Sequence, residues 1–149
     1  MLKGIIQNYY ENTHFFDCVS NRLQVINSLN RAKPKISSTL ADAVEQCVFH
    51  DKYLLGIHLY VEQNTKYCQI QIEGNGYSAV IIFEDIVYFK FYGKAISAKW
   101  EYPELPNIGT IAQILDIWLD FKHGLICYIL LDNKRYIVAK STEIQYRTK

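Results

Sequence analysis

The stretch from Phe49 to Gly93 limits the fold of this chain more than any other. After the dipeptide His50-Asp51 the apolar residues recur with a period of two. Tyr53, Leu55, Ile57, Leu59 and Val61 alternate with Leu54, Gly56, His58, Tyr60 and Glu62. Cys68, Ile70 and Ile72 then alternate with Gln69, Gln71 and Glu73, the pattern of a half-buried strand. A third run, residues 77–93, is apolar on both faces at first and is interrupted near Glu84-Asp85. Gly74-Asn75-Gly76 reads as a hairpin turn, because Gly and Asn tolerate the positive φ such turns need. Strands joined by turns this short pair as an antiparallel meander.

The flanks predict what surrounds it. Residues 1–7 read as a short first strand. Residues 17–30 read as a helix capped by Asp17, with Phe16, Val19, Leu23, Ile26 and Leu29 on one apolar stripe. Lys33-Pro34-Lys35 ends it, and residues 38–47 form a second helix capped by Ser38. Residues 94–102 extend the sheet, and residues 103–107 make a loop. Residues 110–121 read as a late helix, with Ile111, Ile114, Leu115, Trp118 and Leu119 at steps of three and four. Two last strands, 125–131 and 135–144, flank Asp132-Asn133-Lys134. The expected fold is α+β: one domain over 1–149, with an antiparallel sheet of about six strands on which two N-terminal helices and one late helix pack.

Composition narrows the function classes. A chain of 149 residues buries a core without disulfide or metal staples. Its net charge of +1 argues against a nucleic-acid binder, which usually carries a basic excess. Cys18, Cys47, Cys68 and Cys127 are scattered, with no C-x-x-C pair, so four reduced thiols and no metal are expected. The N-terminus lacks signal-peptide character and no run is long enough to span a bilayer, so the expected location is the cytoplasm.

The candidate chemistry is sparse. His50-Asp51 puts a carboxylate beside an imidazole, but a hydrolase of the HD type needs more such residues over a helical domain. The expected role of the pair is to hold a helix-to-strand junction. Cys47, His50 and His58 fall short of the four ligands of a structural zinc site. No cofactor is expected. Lys134, Arg135, Lys140, Arg147 and Lys149, interleaved with Tyr136 and Tyr146, have the composition of a nucleic-acid strand but also of a charged edge. The 12 tyrosines are the stronger signal, since tyrosine is enriched at interfaces, and Tyr60, Tyr88 and Tyr92 fall opposite the most apolar stripes.

Phe49-His50-Asp51-Lys52-Tyr53-Leu54-Leu55-Gly56-Ile57 resembles the opening of small bacterial immunity-type proteins from polymorphic toxin and contact-dependent growth inhibition systems. The runs from Ile81 to Val87, from Leu125 to Leu131 and from Tyr136 to Ser141 are similar to the same group. The resemblance covers about half the chain and leaves out the N-terminal helices. It implies a non-catalytic cytoplasmic protein that neutralises a cognate toxin domain. It carries over no catalytic or contact residue. A small hydrolase-like enzyme using His50 and Asp51, or a nucleic-acid-binding module, is the alternative. No membrane partner is expected, and self-association is left open.

A partner surface is expected on the outer side of the late helix. Asp116 and Asp120 lie one helical turn apart there, with Glu101, Tyr102 and Glu104 just upstream, and such an acidic patch would steer a basic toxin domain.

Overall fold

The computed structural model describes residues 2–93 and 112–149. Along the described chain run α1 (Lys3–Glu11), α2 (Val19–Ala32) and α3 (Ser38–Glu45), with 3-10 turns at Phe15–Asp17 and Lys33–Lys35. The strands β1 (Tyr53–Glu62), β2 (Thr65–Gly74), β3 (Tyr77–Tyr92), β4 (Ala112–Phe121), β5 (Leu125–Leu131) and β6 (Tyr136–Thr148) follow. The class is α+β with an antiparallel six-stranded sheet, as the sequence predicts, and the sheet closes into a barrel in the order β1-β2-β3-β6-β5-β4. Closure removes the exposed edges an open sheet would carry.

The meander forms as its turns dictate. Asn75 and Gly76 take positive φ between β2 and β3, and Gly74 pairs with Tyr77. The break at Glu84-Asp85 is a local irregularity and not an end. Asp85 sits at φ 57° and accepts a hydrogen bond from Thr142 Oγ1 at 2.8 Å, while β3 continues along β6 to Tyr92.

The barrel is filled by Cys68, Ile70, Ile72, Ile81, Phe83, Ile114, Cys127, Ile129 and Ile137, and Leu40, Val44 and Phe49 from α3 and its exit join the same core. This completes the seam between β1 and β4, where only Tyr53↔Gln113 and Leu54↔Ala112 pair among the described residues. A second cluster lies on the outer face of β4, β5 and β6, where Leu2 and Ile6 of α1 meet Phe15, Trp118, Tyr128 and Val138.

Four expectations need correction. The cap of α2 is Cys18, which makes no side-chain capping bond, and not Asp17, whose carboxylate lies 2.9 Å from His14 Nδ1 in the preceding turn. The first residues form α1 and not a strand: the apolar Leu2, Ile5, Ile6, Tyr9 and Tyr10 recur at helical spacing and pack on the outer cluster. The cap of α3 is Ser37, whose Oγ accepts from Leu40 N at 3.2 Å, one residue before the Ser38 expected. The late helix is the strand β4. Its two faces are both covered, Ile117 and Leu119 by the barrel core and Trp118 by the outer cluster, so its apolar residues are nearly continuous. A register shift between Ile114 and Asp116 then breaks the period of two, and the result imitates helical spacing. The predicted extension at 94–102, the loop at 103–107 and residues 110–111 lie outside the described residues.

Candidate functional site

The five residues expected to bind a partner do not form a surface patch. Glu101, Tyr102 and Glu104 lie outside the described residues. Asp116 and Asp120 are buried, 9% and 2% exposed, and not on a solvated helix face. They stand on the outer face of β4 on either side of Trp118, since alternate residues of a strand share a face.

Each carboxylate accepts the backbone N–H that follows it: Asp116 Oδ1 from Ile117 N at 2.9 Å, and Asp120 Oδ1 from Phe121 N at 2.7 Å. Their other partners differ. Arg31 of α2 donates from Nε to Asp120 Oδ1 at 2.8 Å and from Nη2 to Oδ2 at 3.3 Å, and it also reaches Ser28 Oγ at 3.0 Å. That hydrogen bond raises the guanidinium above its ordinary pKa. Asp116 Oδ2 accepts only the Trp118 indole N–H, at 3.1 Å. Among the described residues no cation lies within ion-pair distance of Asp116. Burial pushes its carboxyl up to about 6, against the lowering effect of Trp118, Ile117 and the nearby His50.

The Arg31–Asp120 bridge seats α2 on β4 through a mixed face, on which Asn21, Ser28, Leu29 and Ala32 are buried. Asn21 Nδ2 donates to Phe15 O at 3.0 Å. Of the apolar stripe expected to pack inward, Leu29 does so, and the other four residues face out. Phe16 is 41% exposed, Val19 57%, Leu23 50% and Ile26 51%. On the flank between the two faces, where α2, α3 and β4 meet, lies a cleft of about 120 Å³. Phe16, Ile26, Leu29 and Val44 form its apolar wall, and Cys47 and Asp116 line it as well. Cys47 is held at φ 55° just past α3, and burial next to Asp116 raises its thiol pKa.

His50 and Asp51 tie the α3–β1 junction to β4. His50 Nδ1 lies 2.7 Å from Leu115 O, and Gln113 Nε2 donates to Asp51 Oδ1 at 3.0 Å. Asp51 N donates to Ile114 O at 2.9 Å and Ile114 N to Lys52 O at 2.7 Å, so the backbone extends the sheet along β4. Asp51, at φ 64°, makes the turn that permits this. Among the described residues no three His, Cys, Asp or Glu side chains converge as metal ligands. Cys68 and Cys127 are buried in the barrel, as their apolar neighbours predict, and Cys18 and Cys47 are exposed.

The other candidates spread over the barrel surface. Tyr60 stacks on Tyr67 at 5.1 Å with His58 beside it, and Tyr92 stacks on Tyr136 at 4.7 Å. The basic strand does not present one face: Arg135 is bound to Asp132 at 2.6 Å, and Tyr146 turns inward against Phe49 and Tyr77. No helix among the described residues is long and apolar enough to cross a membrane.

No protein-family model matches the chain, and no curated protein matches it in sequence. Among solved structures it is similar to a crystal structure of an uncharacterized protein from Neisseria gonorrhoeae, at 22% identity and a TM-score of 0.41 over 66% of this chain and 92% of that one. Such a likeness leaves the function to be argued from this chain's own geometry.

Proposed function

We propose that this chain is a non-catalytic immunity protein that binds and neutralises a cognate bacterial toxin domain in the cytoplasm. The observation that carries this reading is the outward stripe of Phe16, Val19, Leu23 and Ile26 on α2. A helix seated by a mixed face, with four apolar side chains turned to solvent, has the anatomy of an interface centre. Contiguous exposed apolar residues mark interaction sites, whereas single ones do not. Four side chains would supply the buried centre of a larger footprint, whose rim contributes less to affinity. The resemblance of the strand runs to immunity-type proteins supports the same reading and supplies the class of partner. The strand faces bearing Tyr60 and Tyr88 are then available as rim or second surface.

The test is co-expression with a candidate toxin domain, taken from a secreted protein encoded by a neighbouring gene. Growth should be restored by this protein, and the two should purify as a stoichiometric complex. Growth arrest despite folded protein, with no complex at micromolar concentrations, would overturn the assignment.

A further inference from the structure

We propose that the Asp116 cleft is a socket for one basic side chain, an arginine or lysine, carried on an apolar segment of a protein partner. This deepens the reading of α2 as a partner-binding surface and rests on it.

The inference starts from a missing charge. A buried carboxylate is normally paired, because taking an ion out of water is costly unless an opposite charge and hydrogen bonds compensate it. Asp120 meets that rule through Arg31, and among the described residues Asp116 has no such partner. Two N–H donors use only part of what an ionised carboxylate can accept, about four lone-pair positions. The groups around it are the Tyr9 phenol from α1, Cys47 and His50 from the α3–β1 junction, and the Trp118 indole on its own strand. None is a fixed cation.

The cavity fits a side chain better than a free ligand. At about 120 Å³ it is well beyond the room one water needs, yet below the roughly 300–1,000 Å³ typical of small-molecule pockets. Its wall is mostly apolar, from Phe16, Ile26, Leu29 and Val44, and it has two carboxylates: Asp116 on β4, and Glu45 of α3, which Lys33 already pairs at 3.4 Å. A methylene stem would lie along that wall while its charged head met Asp116. Phe16 and Ile26 belong both to the cleft and to the outward stripe, so a partner segment on the stripe is already over the opening. Arginine is the residue best suited to such desolvated pairing.

The socket is testable without a toxin. The probe is n-butylguanidinium, the compared neutral analogue is n-butylurea, and the readout is the Trp118 indole N–H resonance, assigned with Trp100→Phe. The cation should shift it saturably, with Kd on the order of 10 mM for so small a fragment. The neutral analogue should bind at least about tenfold more weakly, and Asp116→Asn should remove that preference. Phe16→Ala should weaken both compounds, with folding checked by its melting temperature because the ring also packs edge-on against Phe15 and Tyr9. Equal response to both compounds, or a preference that survives Asp116→Asn in a folded variant, would overturn the socket. So would a concentration-dependent dimer dissolved by Leu23→Gln with no probe uptake, which would make a second copy the occupant. Probe binding with failed growth protection leaves the socket standing and removes the immunity reading. Growth protection unaffected by Asp116→Asn, with no probe binding, does the reverse.

Discussion

Asp116 and Asp120 stand on one face of β4, each accepting the next residue's N–H, and the protein surrounds them in opposite ways. Asp120 receives both arms of Arg31 and fixes α2 to the barrel. Asp116 receives an indole N–H, faces an apolar cleft, and has its carboxyl raised to about 6 by burial. Two similar residues at neighbouring places on a strand thus separate two tasks. One closes the fold, and the other leaves a charge to be met from outside. The lesson concerns burial: a buried carboxylate says nothing about function until its counter-charge has been identified. The same helix shows the division, since α2 turns Asn21, Ser28, Leu29 and Ala32 to the barrel and keeps Val19, Leu23 and Ile26 outward.

The largest effect should come from breaking the closed side of this comparison. Arg31→Ala leaves the Asp120 carboxylate, 2% exposed, with a single N–H donor. Removing one partner of a buried pair costs about 3–5 kcal/mol, and the half-exposed Arg31 places this case near the lower figure. Urea unfolding at neutral pH is the measurement. Asp120→Asn in the same background should recover part of the loss, because it removes the orphaned charge. If Arg31→Ala cost nothing, the bridge would not be what seats α2.

Asp116→Asn should change stability in a pH-dependent way. The folded protein holds this carboxyl at about 6, against about 3.9 in an unfolded chain. Folding then takes up a proton between about pH 4 and 6, and stability falls as pH rises through that window. Above it the whole penalty is present, on the order of 3 kcal/mol. The amide escapes that penalty, but its NH2 cannot accept one of the two N–H bonds the carboxylate takes, a cost present at every pH, so the stability of the variant relative to the parent should rise by about 3 kcal/mol between about pH 4 and pH 7. Calorimetry at both pH values decides. His50, Cys47 and Tyr9 face the same carboxylate but are unchanged in both proteins, so the difference between them reports Asp116. A difference between the two proteins that did not change with pH would mean that the Asp116 carboxylate carries no burial penalty.

How much of this was legible depends on whether the physics is local. The meander and its Gly74-Asn75-Gly76 turn follow from period and φ alone, and they appear where the spacing puts them. β4 does not, because cover on both faces erases the alternation that marks a strand, and the shift beside Asp116 disguises what is left. α2 reads correctly as a helix, but its buried face is chosen by Arg31, Asn21, Ser28 and Ala32 meeting a distant strand. No local pattern encodes that choice. Asp116 and Asp120 stand out in the sequence as a pair, yet helical spacing puts them in solvent. Two carboxylates inside an apolar run were the available signal, since such a run, if buried, owes each of them a partner.

The smallest stability effect should be found where the interface effect is large. Leu23 is half exposed on the outer face of α2, away from the Arg31 bridge. Leu23→Gln keeps a good helix former at the position and removes only solvent-facing apolar area. Unfolding free energy should therefore change by no more than about 0.5 kcal/mol, the range of ordinary surface substitutions. Affinity for the partner domain, measured by titration calorimetry, should fall by at least about tenfold if the stripe is the interface centre. The pair of numbers separates two explanations of an exposed leucine. A large stability loss would show that the stripe is packed in solution, by a second copy or by part of this chain. A small loss with unchanged affinity would move the interface to the Tyr60–Tyr67 face of the barrel, where the stacked rings offer the next apolar area.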